Sequence, residues 1–208
     1  MAQTAPAPTT ADAGVPRRRR IGILAVQGDI REHADALREV GAEPVEVRLP
    51  RDLVGLDGLI LPGGESTAMR TLIDLYGLRE PIVALARGGA PVYGTCAGLI
   101  LLADRIADGD EPVLRLLDVT VQRNAYGRQL DSFEAEVAIP ALGEVPVHGV
   151  FIRAPVVSEV GPGVEVLARD ADGRPIAVRQ GRVMATAFHP ELTPDRRLHR
   201  LLLELIES

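Results

Sequence analysis

The chain has one cysteine, Cys96, set in Gly94-Thr95-Cys96-Ala97-Gly98 between an apolar strand and an apolar helix. This G-x-C-x-G is the nucleophile-elbow pattern with sulfur in place of oxygen. Flanking glycines let the backbone turn sharply without a Cβ clash, so the side chain projects from the strand end, and the positive N-terminal end of the next helix favours the thiolate. A lone cysteine is more often a small buried hydrophobe, and only this setting argues for chemistry.

A thiolate that attacks an amide needs a base to hand a proton to the leaving amine, and four histidines are available. His33 falls inside a predicted helix, His148 in a β segment, and His199 among the leucines of the last helix, where solvent exposure is the default expectation. His189 directly follows the apolar run VMATAF, in His189-Pro190-Glu191. In an extended segment residues i and i+2 point the same way, so Glu191 can take the second ring nitrogen and fix the tautomer. Pro190 stiffens the geometry. Taken alone, His-Pro-Glu is equally a plain turn before a helix.

A third candidate is Leu61-Pro62-Gly63-Gly64-Glu65-Ser66, again a strand end followed by a helix. A backbone N–H from this loop, with that of Ala97, can form an oxyanion hole for a tetrahedral intermediate. A Gly-Gly turn by itself is weak evidence. Its weight comes from three strand-end signals in one sheet, which open α/β folds gather into one crevice.

The elements that would position these groups alternate between short apolar runs and amphipathic helices, the pattern of a mainly parallel sheet covered on both faces. Strands are expected at 21–26, 44–48, 58–62, 91–94 and 183–188, and helices from a capping box at Asp29 and Glu32 to Gly41, then at 66–76, 81–87 and 195–206. Between Asp118 and the strand at 183, β-rich segments with turn signals such as Asp172-Gly173 predict an added, largely antiparallel region. The expected fold class is therefore α/β, a three-layer domain over 21–208. Residues 1–20, rich in Ala, Pro and Thr and ending in four arginines, are expected as a disordered tail.

Composition narrows the chemistry further. All 23 basic residues are arginine, so a phosphate-loop lysine, a Schiff-base lysine and an internal pyridoxal phosphate attachment are excluded. One cysteine permits neither an internal disulfide nor a multi-cysteine zinc site, and no metal or cofactor is expected. A reducing cytoplasmic setting fits. A net charge of -6 argues against a nucleic-acid surface, and no apolar run reaches the eighteen or so residues of a membrane span. The six apolar residues after the arginines are too few for an export signal.

LPGGEST, GTCAGLILLA and FHPEL together resemble the class I, triad-type glutamine amidotransferases. AVQGDIREH, RNAYGRQLDSFEAE from Arg123, GVFIRAP and AFHPELT are most similar to the branch of that family that serves pyridoxal 5'-phosphate synthases, and the likeness runs from about residue 21 to 206. It implies hydrolysis of L-glutamine through a thioester on Cys96, with His189 as base and acid and Glu191 orienting it. It further implies a glutamine site of Gly64, Glu65, Ser66, Arg123, Ile152 and Arg153, and places Gln27 near the oxyanion hole and the partner interface. The implied partner is a (β/α)8-barrel synthase subunit in a hetero-oligomer that receives the ammonia. A stand-alone γ-glutamyl cysteine hydrolase and a non-catalytic regulatory module of the same fold are the alternatives.

Overall fold

The structure, a computed structural model, describes residues 17–123 and 132–207. The first half runs β1 (Arg20–Leu24), α1 (Ile30–Glu39), β2 (Glu43–Val47), β3 (Gly58–Leu61), α2 (Ser66–Leu75), α3 (Arg79–Arg87), β4 (Val92–Thr95), α4 (Ala97–Leu102) and β5 (Ala103–Ile106). Then come β6 (Leu117–Gln122), β7 (Ser132–Val137), β8 (Val147–Ile152), β9 (Val156–Val160), β10 (Glu165–Arg169), β11 (Pro175–Gln180), β12 (Val183–Thr186) and α5 (Arg197–Glu207). Seven strands form the main sheet in the order β10-β11-β12-β4-β3-β1-β2. Its five strands from β12 to β2 are mutually parallel, and β10 and β11 extend the β12 edge antiparallel.

Every residue of β3 and β4 is buried, as expected of central parallel strands covered on both sides. Adjacent strand residues point to opposite faces, and β4 uses both. The Tyr93 ring meets His199 of α5 edge-on at 6.2 Å, while Gly94 abuts Gly98 and Leu102 of α4. Helices α5 and α4 therefore lie on opposite faces of the sheet, which is the three-layer arrangement expected from the sequence.

Outside the main sheet, β6 pairs antiparallel with β9 and parallel with β5, and β7 and β8 form a hairpin. Phe151 stacks on Phe133 at 4.5 Å and touches Phe188 at 5.4 Å, which fastens the hairpin to the segment just before His189. The His189 N–H also donates to the Val150 carbonyl at 2.8 Å. The added β region thus serves to carry Ile152 and Arg153 to the end of the main sheet.

The N-terminal boundary differs from the sequence expectation. Residues 1–16 of the expected tail lie outside the described residues, and Arg20 already belongs to β1, opposite Glu43 of β2, with its N–H on Asp57 at 2.7 Å. The helix after Cys96 stops at Leu102, because Ala103 leaves helical geometry and begins a strand paired with β6. Among the described residues, no helix is long and apolar enough to cross a membrane.

The elbow glycines matter through close approach. A Cβ on Gly98 would lie 2.1 Å from the Leu61 carbonyl oxygen, and one on Gly94 would lie 2.6 Å from the backbone of Gly98. Neither has positive φ; the strained residue is Cys96 itself, at φ 49. Because backbone cannot yield as a flexible side chain does, Gly98→Ala should destabilise the fold by about 3 kcal/mol. Urea unfolding checks this, and an unchanged midpoint would contradict the contact.

Candidate active site

The segment from His189 to Leu192 is a tight turn, not the extended strand expected. His189 precedes a short 3-10 turn over Pro190–Leu192, and the turn swings Glu191 back beneath the ring. His189 Nδ1 lies 2.8 Å from Glu191 Oε1 and 3.1 Å from Asp29 Oδ2. Carboxylates only accept, so Nδ1 carries the proton and Nε2 is left for Cys96, which lines the same cleft. The expected pairing of Glu191 with His189 is present, but through a different backbone geometry.

Cys96 closes β4 and precedes α4, with only 7% of its surface exposed, and its Sγ lies 3.7 Å from the Ile152 carbonyl oxygen. Its φ of 49° and ψ of -102° place it in a region that L-residues rarely occupy. Arg153, on the facing segment, has φ 44. Strained backbone on two walls of one cleft is the kind of outlier found at functional sites.

That cleft has a volume of about 630 Å³, and its lining includes Cys96, Ala97, His189, Gly64, Ser66 and Arg153. Glu65, Arg123 and Ile152 line it too, so all six residues implied to bind glutamine reach the same space. A groove of similar size, about 670 Å³, lies by Arg196 and Arg197, but those arginines are paired with Glu39 and Asp195 and no nucleophile faces it. Glu191 stands behind His189, at 4% exposure.

Several side chains do other work than expected. The Glu65 carboxylate caps α2, accepting from the N–H groups of Thr67 at 2.9 Å and Ala68 at 2.7 Å. The Thr67 bond leads in holding its pKa below the usual value, against the opposing effect of burial. Asp29, read as a helix cap, makes no capping bond and turns toward His189 instead. Gln27 accepts from the Glu65 N–H at 2.8 Å, tying the loop after β1 to the Gly63-Gly64 loop. Arg123 lines the cleft with Nε on Asp108 at 3.0 Å and Nη2 on Asp110 at 2.8 Å. Residues 124–131, which continue its motif, lie outside the described residues.

Asp29, Ile100 and Ser132 also line the cleft and were not expected there. His199 is fully buried where exposure was expected, and His33, expected only to lie within a helix, is fully buried too. Metal-ligating atoms of Asp29, His189 and Glu191 lie within 4.8 Å of one another. The proton on His189 Nδ1, shared by both carboxylates, occupies the place a cation would need.

Burial opposes charge on His189, but Asp29, Cys96 and Glu191 outweigh it and raise its pKa to about 12. Burial likewise opposes ionisation of Glu191, and His33 and His189 overcome it, holding the carboxyl below its ordinary range. These shifts act on folding with opposite pH signs. Glu191 contributes stability above its ordinary 4.5, lost as pH falls, and His189 contributes below its ordinary 6.5, lost as pH rises. The pair therefore stabilises most between those two values. The unfolding midpoint of the wild type minus that of Glu191→Gln should peak in that window and shrink toward alkaline pH; a difference that grows steadily above it would contradict the coupling.

The comparisons agree with this geometry. The chain is 55% identical over 191 residues to the pyridoxal 5'-phosphate synthase subunit PdxT of Frankia alni, covering 91% of this chain and 96% of the relative. It is 55% identical over 187 residues to the protein of that name from Roseiflexus sp., covering 89% of this chain and 99% of the relative. A crystal structure of a glutamine amidotransferase superposes with a TM-score of 0.85 at 49% identity, covering 90% of this chain and 99% of that one. The model of the SNO glutamine amidotransferase family matches residues 23–208. With that match spanning nearly the whole chain and the elbow, the imidazole and the carboxylate meeting at one cleft, the chain belongs to the SNO glutamine amidotransferase family.

Proposed function

We propose that this chain is a cytosolic glutaminase, with a single amidotransferase domain over 21–208, that hydrolyses L-glutamine to L-glutamate and ammonia for a pyridoxal 5'-phosphate synthase. The observation that carries the reading is the His189–Glu191 pair at 2.8 Å with Cys96 on the wall of the same cleft, which Arg123 and Arg153 also line. The relatives' printed name supplies the synthase.

In this mechanism the Cys96 sulfur attacks the side-chain amide carbon of glutamine. The N–H of Ala97, a first-turn donor of α4 with no intrahelical partner, and that of Gly64 receive the developing oxyanion. His189 Nε2 passes its proton to the leaving nitrogen, and ammonia departs as the γ-glutamyl thioester forms. Water then attacks the thioester with His189 as base, releasing glutamate and returning the thiol. Glu191 holds the ring with its proton on Nδ1, so that Nε2 is always the nitrogen facing sulfur. Arg153 is the arginine best placed for the α-carboxylate of glutamine, since Arg123 must first exchange its two aspartates. Gln27 supports the Gly64 loop. The receiving partner is a (β/α)8-barrel synthase subunit in a hetero-oligomer. That division of labour suits a lysine-free chain, because imine chemistry then belongs to the partner.

Ammonia release from glutamine, measured with and without the synthase subunit, tests the reading. An electrophilic glutamine analogue should label Cys96 and no other residue by mass spectrometry. A stand-alone γ-glutamyl hydrolase would instead cleave γ-glutamyl peptides faster than free glutamine.

A further inference from the structure

Behind Glu191, on the side away from substrate, Thr95 of β4, His33 of α1 and His199 of α5 are all completely buried. Thr95 Oγ1 donates to Glu191 Oε1 at 3.3 Å. His33 Nε2 lies 3.1 Å from Thr95 Oγ1 and 3.5 Å from Glu191 Oε1, and His33 Nδ1 lies 3.1 Å from His199 Nε2.

The proton positions along this line follow from valence. A carboxylate only accepts, so the one hydroxyl proton of Thr95 goes to Glu191, and the Thr95 oxygen must then accept from His33. His33 therefore carries a proton on Nε2. With its Nδ1 accepting from His199 Nε2–H, the remaining His199 nitrogen, Nδ1, is bare, and it has no hydrogen-bond partner among the described residues. A buried bare nitrogen is a smaller penalty than an orphaned N–H, which favours this order over its reverse. Burial above all holds His199 down at about 3, so it stays neutral.

We infer that His33 is a positioning residue for the reaction: by donating to Thr95 it aims the hydroxyl proton at Glu191 and so fixes the carboxylate that orients His189. The inference rests on the glutaminase reading above. Oε1 of Glu191 receives the Thr95 hydroxyl from β4 as well as the His189 Nδ1–H, with His33 Nε2 of α1 3.5 Å away, whereas Oε2 has no partner among the described residues. A carboxylate so asymmetrically held keeps one oxygen under the imidazole. Without Thr95 and His33 it is held only by the ring it is meant to orient.

The test compares the full chain, assayed with its synthase partner, with Thr95→Val, Thr95→Ser, His33→Leu and His33→Gln. Thr95→Val and His33→Leu should lower kcat about tenfold to a hundredfold, the worth of one hydrogen bond to a charged group, with KM for glutamine nearly unchanged. Thr95→Ser restores the hydroxyl, and His33→Gln restores a donor at the Nε2 position, so both should recover most of the rate. Nitrogen NMR of histidine-labelled chain should find His33 and His199 each protonated at Nε2. Wild-type kcat in Thr95→Val, equal losses in the Val and Ser variants, or His33 protonated only at Nδ1 would each overturn the inference. A wild-type chain that releases no ammonia would instead sink the glutaminase reading itself.

Discussion

Cys96→Ala is expected to abolish ammonia release from glutamine, by a factor on the order of 10⁵ or more, and His189→Asn to do nearly the same. Neither variant should unfold. Alanine keeps the Cβ and removes only a sulfur whose contact in the cleft wall is a long one to the Ile152 carbonyl. The two losses should not multiply in the double variant, because nucleophile and base act as one unit. A sharper form of the test uses the backbone. At φ 49° and ψ -102°, position 96 strains any residue with a Cβ, at roughly 1–3 kcal/mol, and the elbow accepts this to hold the sulfur out over the sheet. Cys96→Gly should be equally inactive yet more stable than Cys96→Ala, since relief of strain exceeds the ~0.5–1 kcal/mol entropic cost of glycine. Ammonia release that survives Cys96→Ala would end the mechanism. A glycine variant less stable than the alanine one would remove the argument from strain.

The elbow, the base and the alternating βα pattern were legible because each is local. G-x-C-x-G sets a close packing of Gly98 on Leu61, and the hydrophobic runs set the strand order's buried centre. Contacts across the layers were less legible. His33 follows Ile30 by three residues and precedes Leu37 by four, so it stands on the apolar face of α1, and His199 precedes the buried Leu202 by three. Helical period thus held a signal for burial of both, which the expectation of an exposed His199 passed over. What it could not supply was that α1 and α5 cover the same face and bring the two imidazoles together over Thr95. Likewise, Asp29 and Glu65 each occupy a helix start, and one caps while the other turns to His189. A cap position in sequence names the residue, and only the packing around it decides where its carboxylate goes. Glu191 meets His189 although the extended geometry it was expected from is not adopted, because a 3-10 turn also returns residue i+2 to the ring of residue i.

Glu191→Gln should lower kcat by roughly 10³ to 10⁴ while leaving KM for glutamine within a few-fold. The carboxylate's Oε1 faces donors only: His189 Nδ1–H at 2.8 Å, Thr95 Oγ1–H at 3.3 Å and His33 Nε2 at 3.5 Å. An amide can sit there in two ways. With its NH2 toward the imidazole, two donors face each other and His189 must move its proton to Nε2, the nitrogen that has to accept from Cys96. With its oxygen toward the imidazole, the NH2 falls at the Oε2 position, which is buried and has no partner among the described residues. The first arrangement disables the base, and the second buries two unpaired N–H groups while removing the charge that stabilises the imidazolium. Glutamine binding touches neither arrangement, since Glu191 lies behind His189 and not in the cleft lining. Steady-state rates across pH should therefore find kcat reduced throughout with KM nearly constant, and an unchanged kcat would mean that Asp29, the other carboxylate on Nδ1, suffices to hold the ring.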